Sequence, residues 1–170
     1  MAERYVSAWV APSATPPPPE ADPQPPARRP PVQRALDVLE PLFRRRLESM
    51  IGDLAGRGYR PRVWETLRTP ERGDWLEERG RTRNGRRSMH VYGVAADIIC
   101  REHMWDCHRH GCDYYAEQGR AARRAGLYWG GDWRSMRDYP HVQAVAVGDQ
   151  ARVRRADDVA ALLPHLMRGV

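Results

Sequence analysis

Apolar residues recur at Phe43, Leu47, Met50, Ile51 and Leu54, with charged and polar residues between them. Spacings of three and four place them on one stripe of a helix. Pro41 suits the start of that helix, and Gly56 and Gly58 mark its end. YRPRVWET, from Tyr59, then reads as a strand packing through Val63 and Trp64. Thr69 followed by Pro70 predicts the cap and first position of a second helix. RTRNGRRS is a basic loop with a turn signal at Asn84-Gly85. VAADIIC, ending at Cys100, reads as a buried strand, and Tyr114 to Ala125 as a helix closed by Gly126. HVQAVAV, from His141, reads as another strand, and DDVAALLPHLMRG as a C-terminal helix bent or broken at Pro164. Helices and strands mix without regular alternation. The expected class is therefore α+β, a small antiparallel sheet with flanking helices in a single domain.

Composition sharpens the boundaries. Residues 12–31 are rich in Pro and poor in large apolar side chains, so 1–31 is expected to be a disordered arm and 32–170 the folded domain. The formal charge is +6, which suggests an anionic partner such as nucleic acid, an acidic membrane surface or a cell-wall polymer. All 28 basic residues are Arg, which points to genomic base bias and weakens any inference from a single guanidinium. The N-terminus lacks the positive-then-apolar pattern of a signal peptide, and no run approaches the roughly 18 apolar residues of a membrane span. The expectation is a protein held in the cytoplasm until another route releases it. Three cysteines, Cys100, Cys107 and Cys112, exclude a fully paired disulfide framework.

SMHVYGVAADI, residues 88–98, excludes every charge except those of His90 and Asp97. A carboxylate in a buried strand needs a cation near it, and a metal ion is one candidate. His141 opens a second apolar strand, three residues after Asp138. His90, Asp97 and His141 make a two-nitrogen, one-oxygen set that suits Zn²⁺ with a fourth position left for water. His90 and Asp97 are seven apart, so a straight strand would point them to opposite faces; Gly93 is placed to bend the chain between them. Asp138 is then the expected base.

SMHVYGVAAD resembles the S-x-H-x-x-G-x-A-x-D signature of the zinc D,D-peptidase and L-alanyl-D-glutamate peptidase family, and WGGDW followed by DYPHVQ resembles its downstream half. The resemblance runs from Leu42 to Val147 and includes ETLRTPER. Both halves look like the branch of phage endolysins and bacterial cell-wall endopeptidases. The resemblance implies a zinc-dependent peptidase that hydrolyses the L-alanyl-D-glutamate bond of the peptidoglycan stem peptide. It implies His90, Asp97 and His141 as zinc ligands, Asp138 as catalytic base, and Arg68 as the cation that binds substrate or steadies the transition state. Ser88 and Asp132 are candidates to orient ligands, and Trp129 and Trp133 to line the groove. This chain carries Gly73 where relatives often have Gln, and Val142 where they often have an aromatic residue.

Other readings remain beside this one. A D-alanyl-D-alanine carboxypeptidase or dipeptidase would share the zinc chemistry. A non-catalytic wall-binding protein would keep the metal without turnover. A nucleic-acid binder is suggested by charge alone and lacks a recognisable motif, so no nucleic-acid partner is expected. Anionic cell-wall polymers and a monomeric state fit the endopeptidase reading. In CREHMWDCHRHGC, residues 100–112, free or partly oxidised thiols are the default. Cys107, His108, His110 and Cys112 are the alternative set for a second, structural zinc, although their spacing is not C-x2-C.

Overall fold

The structure is a computed structural model that describes residues 28–167. The Pro-rich arm therefore lies outside the described residues except for its last four. These lie along the second helix: the Pro30 carbonyl accepts from Arg72 Nη1 at 3.1 Å, and the Arg29 guanidinium sits over the Trp75 ring.

Helix α1, Pro41–Gly56, begins where the Glu40 carboxylate accepts from the Phe43 amide at 2.8 Å, with Pro41 in the first turn. Its stripe of Phe43, Leu47, Met50 and Leu54 is wholly buried. Strand β1, Pro61–Glu65, follows, and then helix α2, Pro70–Glu78, capped by Thr69 Oγ1 on the Arg72 amide. Strand β2, Ala95–Cys100, is buried on both faces. After it come helix α3, Tyr114–Arg124, and the two-residue strand β3, Tyr128–Trp129. Strand β4, His141–Gln143, precedes helices α4, Gln150–Arg155, and α5, Val159–Leu166.

The four strands form one antiparallel sheet in the order β1-β2-β4-β3. Helix α1 packs against α3 and α5, and the core between helices and sheet joins Phe43 and Leu47 to Ala96, Ile98, Val142 and Leu163. This is the expected α+β arrangement. Two local readings are corrected. The final strand stops at Gln143 because β2 has no strand residue before Ala95 to pair with it. Helix α5 runs through Pro164 to Leu166 instead of breaking there. The proline costs one amide donor, but the carbonyl it leaves unpaired belongs to exposed Ala160, where water replaces it.

The register places the candidate residues. Glu65 pairs with Asp97, and Asp97 pairs with His141, so the three form one row across β1, β2 and β4. Directly opposed residues of antiparallel strands share a face. A bulge between Val63 and Glu65 in β1 precedes the row.

Candidate metal centre and active site

His90 does not sit on β2. It lies in a single 3-10 turn, Met89–Tyr92, ended by Gly93 at φ +66°, a left-handed conformation that favours glycine. This corrects the bent-strand expectation. The turn, not a kink within the strand, brings His90 onto the face of Asp97.

Three atoms then converge. His90 Nε2 lies 3.3 Å from His141 Nδ1 and 3.2 Å from Asp97 Oδ1, and His141 Nδ1 lies 3.2 Å from the same oxygen. The far nitrogen of each imidazole fixes its tautomer. His90 Nδ1 donates to the Thr66 carbonyl at 2.7 Å. His141 Nε2 donates to Gln143 Oε1 at 3.1 Å. Gln143 is itself oriented, because its amide nitrogen donates to the Val145 carbonyl and its oxygen accepts from Gln150 Nε2. The inner nitrogens are left with lone pairs, so three acceptors face one another with no proton assigned among them. Metal bonds of about 2.0–2.1 Å in a tetrahedral site separate neighbouring donors by about 3.3 Å. The observed edges match, and the residues fit a zinc ion.

The electrostatics agree. Burial alone would raise the Asp97 carboxyl, yet His90 and His141 outweigh it and hold Asp97 well below the usual carboxylate range. Burial disfavours charge on His141, but Asp97 and Asp138 overcome that and raise its pKa. Both are responses of a site short of a cation.

Beside the triangle lies a buried ion cluster. Arg68 Nη2 contacts Glu65 at 2.9 Å and Asp97 Oδ2 at 3.8 Å, and Arg72 Nε contacts Glu65 at 2.5 Å. Arg68 is only 7% exposed, and its Nη1 reaches Ser88 Oγ at 3.4 Å. The structure thus brings Arg68 and Ser88 to Asp97, with the guanidinium against the carboxylate oxygen turned away from the histidines.

Asp138 stands one turn before His141, whose amide donates to the Asp138 carbonyl at 3.2 Å. The Asp138 amide in turn donates to the Gly130 carbonyl at 3.1 Å. A Cβ on Gly130 would collide with the Asp138 carbonyl and come within 3.1 Å of His141 Cβ, so only glycine permits this approach. Burial raises the Asp138 carboxyl, which also senses His141, Asp97 and His90. Trp133 lies 5.0 Å, ring to ring, from His141. Trp129 donates through Nε1 to the Tyr139 carbonyl and joins Tyr115, Ala116, Cys112, Asp113 and Tyr139 around a cleft of about 220 Å³. Asp132 instead pairs with Arg123 at the surface.

Among residues not picked out from sequence, Gln143 and Glu65 matter most. Each lies on the face of the triangle, Gln143 two residues beyond His141 and Glu65 opposite Asp97. That alternation of two was the available signal. The Gly73 departure also has a physical reason: a Cβ there would sit 2.8 Å from the Gly85 backbone. The default of free or partly oxidised thiols agrees with the structure, and the alternative set of Cys107, His108, His110 and Cys112 is not brought together among the described residues. Cys107 and Cys112 are joined in a disulfide, the third group beside them is the buried Cys100 thiol, and the His108 side chain lies outside the described part.

Residues 81–144 match the family model described as D-alanyl-D-alanine carboxypeptidase. The peptidoglycan L-alanyl-D-glutamate endopeptidase CwlK of Bacillus subtilis (strain 168) is 27% identical over 123 residues, which cover 63% of this chain and 74% of that one. The crystal structure of the Serratia marcescens L-Ala D-Glu endopeptidase ChiX superposes with a TM-score of 0.51 at 27% identity, covering 64% of this chain and 81% of the other.

Proposed function

We infer that this chain, a member of the zinc D,D-peptidase and L-alanyl-D-glutamate peptidase family, hydrolyses the L-alanyl-D-glutamate bond of the peptidoglycan stem peptide. The observation that carries the reading is the triangle of His90 Nε2, Asp97 Oδ1 and His141 Nδ1, whose lone pairs share one centre. A zinc ion held there supplies Lewis acidity toward the scissile carbonyl and toward a water molecule.

The chain's own residues do the rest. Thr66 and Gln143 hold the two imidazoles in the tautomers that present their lone pairs. Arg68 anchors Asp97 through Oδ2 and leaves Oδ1 for the metal. Asp138 accepts a proton from the attacking water at its carboxylate and returns it to the departing amine of D-glutamate. Its burial-raised pKa suits that double duty, since a carboxylate of ordinary acidity would be too weak a base to take the proton of the water. Trp133, whose ring lies 5.0 Å from that of His141, lines the approach of the stem peptide to the centre.

The description of the matching family model favours a second reading, removal of a terminal D-alanine. A carboxypeptidase must grip a free carboxylate, usually with a positioned cation. The likeness to two L-alanyl-D-glutamate endopeptidases supports the endopeptidase reading. The test is digestion of purified peptidoglycan with and without a chelator, followed by mass analysis of the released ends. Chelator-sensitive appearance of N-terminal D-glutamate is expected; dominant release of free D-alanine would move the activity to the carboxypeptidase branch. The same reading extends to endolysin-like lysis, for which heat-killed cells should lose turbidity with purified protein.

A further inference from the structure

The three cysteines lie away from the proposed catalytic triangle and no step of the peptidase chemistry uses them. Their sulfurs all lie within 4.8 Å of one another. Cys100 ends strand β2, Cys107 opens a single 3-10 turn that runs to His110, and Cys112 immediately precedes Asp113, the cap position of α3. The segment from Arg101 to Asp113 has no other regular element, and the sulfurs tie it to the core together with the Arg101 amide, which donates to the Arg60 carbonyl, and Tyr115 Oη, which donates to the Met104 carbonyl. Cys107 is fully buried and Cys100 nearly so, packed with Tyr114 and Tyr115, while Cys112 is partly exposed on the cleft. A disulfide alone would leave Cys100 without a role. Its thiol meets Glu102 Oε2 at 3.3 Å.

We propose that Cys100, Cys107 and Cys112 form a second metal site, selective for a thiophilic divalent ion such as Zn²⁺, that is assembled when the Cys107–Cys112 disulfide is reduced. The proposal is independent of the peptidase reading. Sulfur is the preferred donor for zinc, and bonds of about 2.3 Å in a tetrahedral site place neighbouring sulfurs about 3.8 Å apart, within reach of the present cluster. Reduction need not scatter the ligands, because the Cys112 amide donates to the Cys107 carbonyl at 3.1 Å whatever the state of the sulfurs. Cys100 is held by its pairing with Pro61 at the end of β2. The fourth position is left for a water molecule.

The chemistry balances with a dithiol as reductant. Its two sulfurs close into a disulfide, and its two protons and two electrons pass to Cys107 and Cys112. The ion then displaces one proton from each of the three thiols, so binding weakens as pH falls. Oxidised, the segment is closed by a disulfide; reduced, by a metal.

The experiment uses the full chain and Co²⁺. The protein is reduced anaerobically with dithiothreitol, desalted, shown to contain three titratable thiols, and titrated with cobalt. Thiolate-to-cobalt charge-transfer absorption is the signature, because the histidine and aspartate triangle has no sulfur to give it. One equivalent of cobalt should develop this band, and Zn²⁺ should bleach it. Cys100→Ser should weaken binding by more than about 100-fold, beyond the loss usual for an outer partner. His90→Ala should leave the band unchanged. A reduced chain with three free thiols and no band would overturn the proposal, as would a band that survives in Cys100→Ser or appears in the oxidised protein.

Discussion

Replacing Gln143 by leucine tests the lone-pair argument directly. The side chain is fully buried, and its oxygen accepts from His141 Nε2 and from Gln150 Nε2. Leucine fills a similar volume but removes the acceptor, so His141 loses the partner that keeps its proton on Nε2. Outer partners of metal-bound histidines are worth about 10–100-fold in metal affinity. That is about 1.4–2.8 kcal/mol, at 1.4 kcal/mol for each factor of ten. Gln150 is only half-buried and can turn to water, while the Val145 carbonyl also loses its donor, so stability is measured beside metal affinity to separate the two losses. The assay is zinc competition against a chromophoric chelator, with circular dichroism to show that the variant is folded. An affinity drop in that range is expected, with hydrolysis restored by excess zinc. A folded Gln143→Leu with unchanged affinity would refute the assignment of His141 Nδ1 as the donor.

Asp138→Asn should keep zinc, measured by metal analysis, while peptidoglycan hydrolysis falls about 10²–10⁴-fold, the usual worth of a general acid–base group; loss of the metal would instead make Asp138 a ligand. Gly130→Ala should drive its Cβ into the Asp138 carbonyl, costing about 1–3 kcal/mol in thermal unfolding and weakening zinc binding with it; an unchanged melting curve would show that the loop yields freely. Burial pushes Glu65 up, but Arg68 and Arg72 outweigh it and hold its pKa below the ordinary value. Its contribution is therefore complete above the unfolded value of about 4.3 and is lost as pH falls through the folded one. Urea melts between pH 7 and pH 3 should show Glu65→Gln destabilised by about 3–5 kcal/mol at neutrality, with the gap to the parent narrowing in acid; parallel curves would remove Glu65 from the acid response.

Much of this was legible before the fold, for identifiable reasons. The stripe from Phe43 to Leu54 announced α1 because four of its five members are wholly buried against one core and Ile51 packs partly buried beside them. Asp97 and His141 stood out because they are charged or titratable groups in stretches that otherwise exclude charge. The parity argument for His90 was sound for a strand and failed because the residue lies in a 3-10 turn, where period two does not apply. Strand β3, with two residues, is too short to show any period, and α4 buries Val153 alone among its six positions. Glu65 and Gln143 were harder to see: alternation put Gln143 on the face of His141, but what each residue does there comes from register between strands far apart in the chain.

That register has a wider consequence. Asp97 faces His141 across β2 and β4, and a slip of one residue would set Val142 opposite Asp97 and turn His141 to the other face. A mispaired sheet would keep most of its apolar contacts but would have no place for the ion. At a free metal concentration a thousandfold above the dissociation constant, only the correct pairing gains about 4.1 kcal/mol. Held there, an ion would act as a proofreader of strand alignment: the pairing that would make catalysis possible is also the one that metal supply would select during folding.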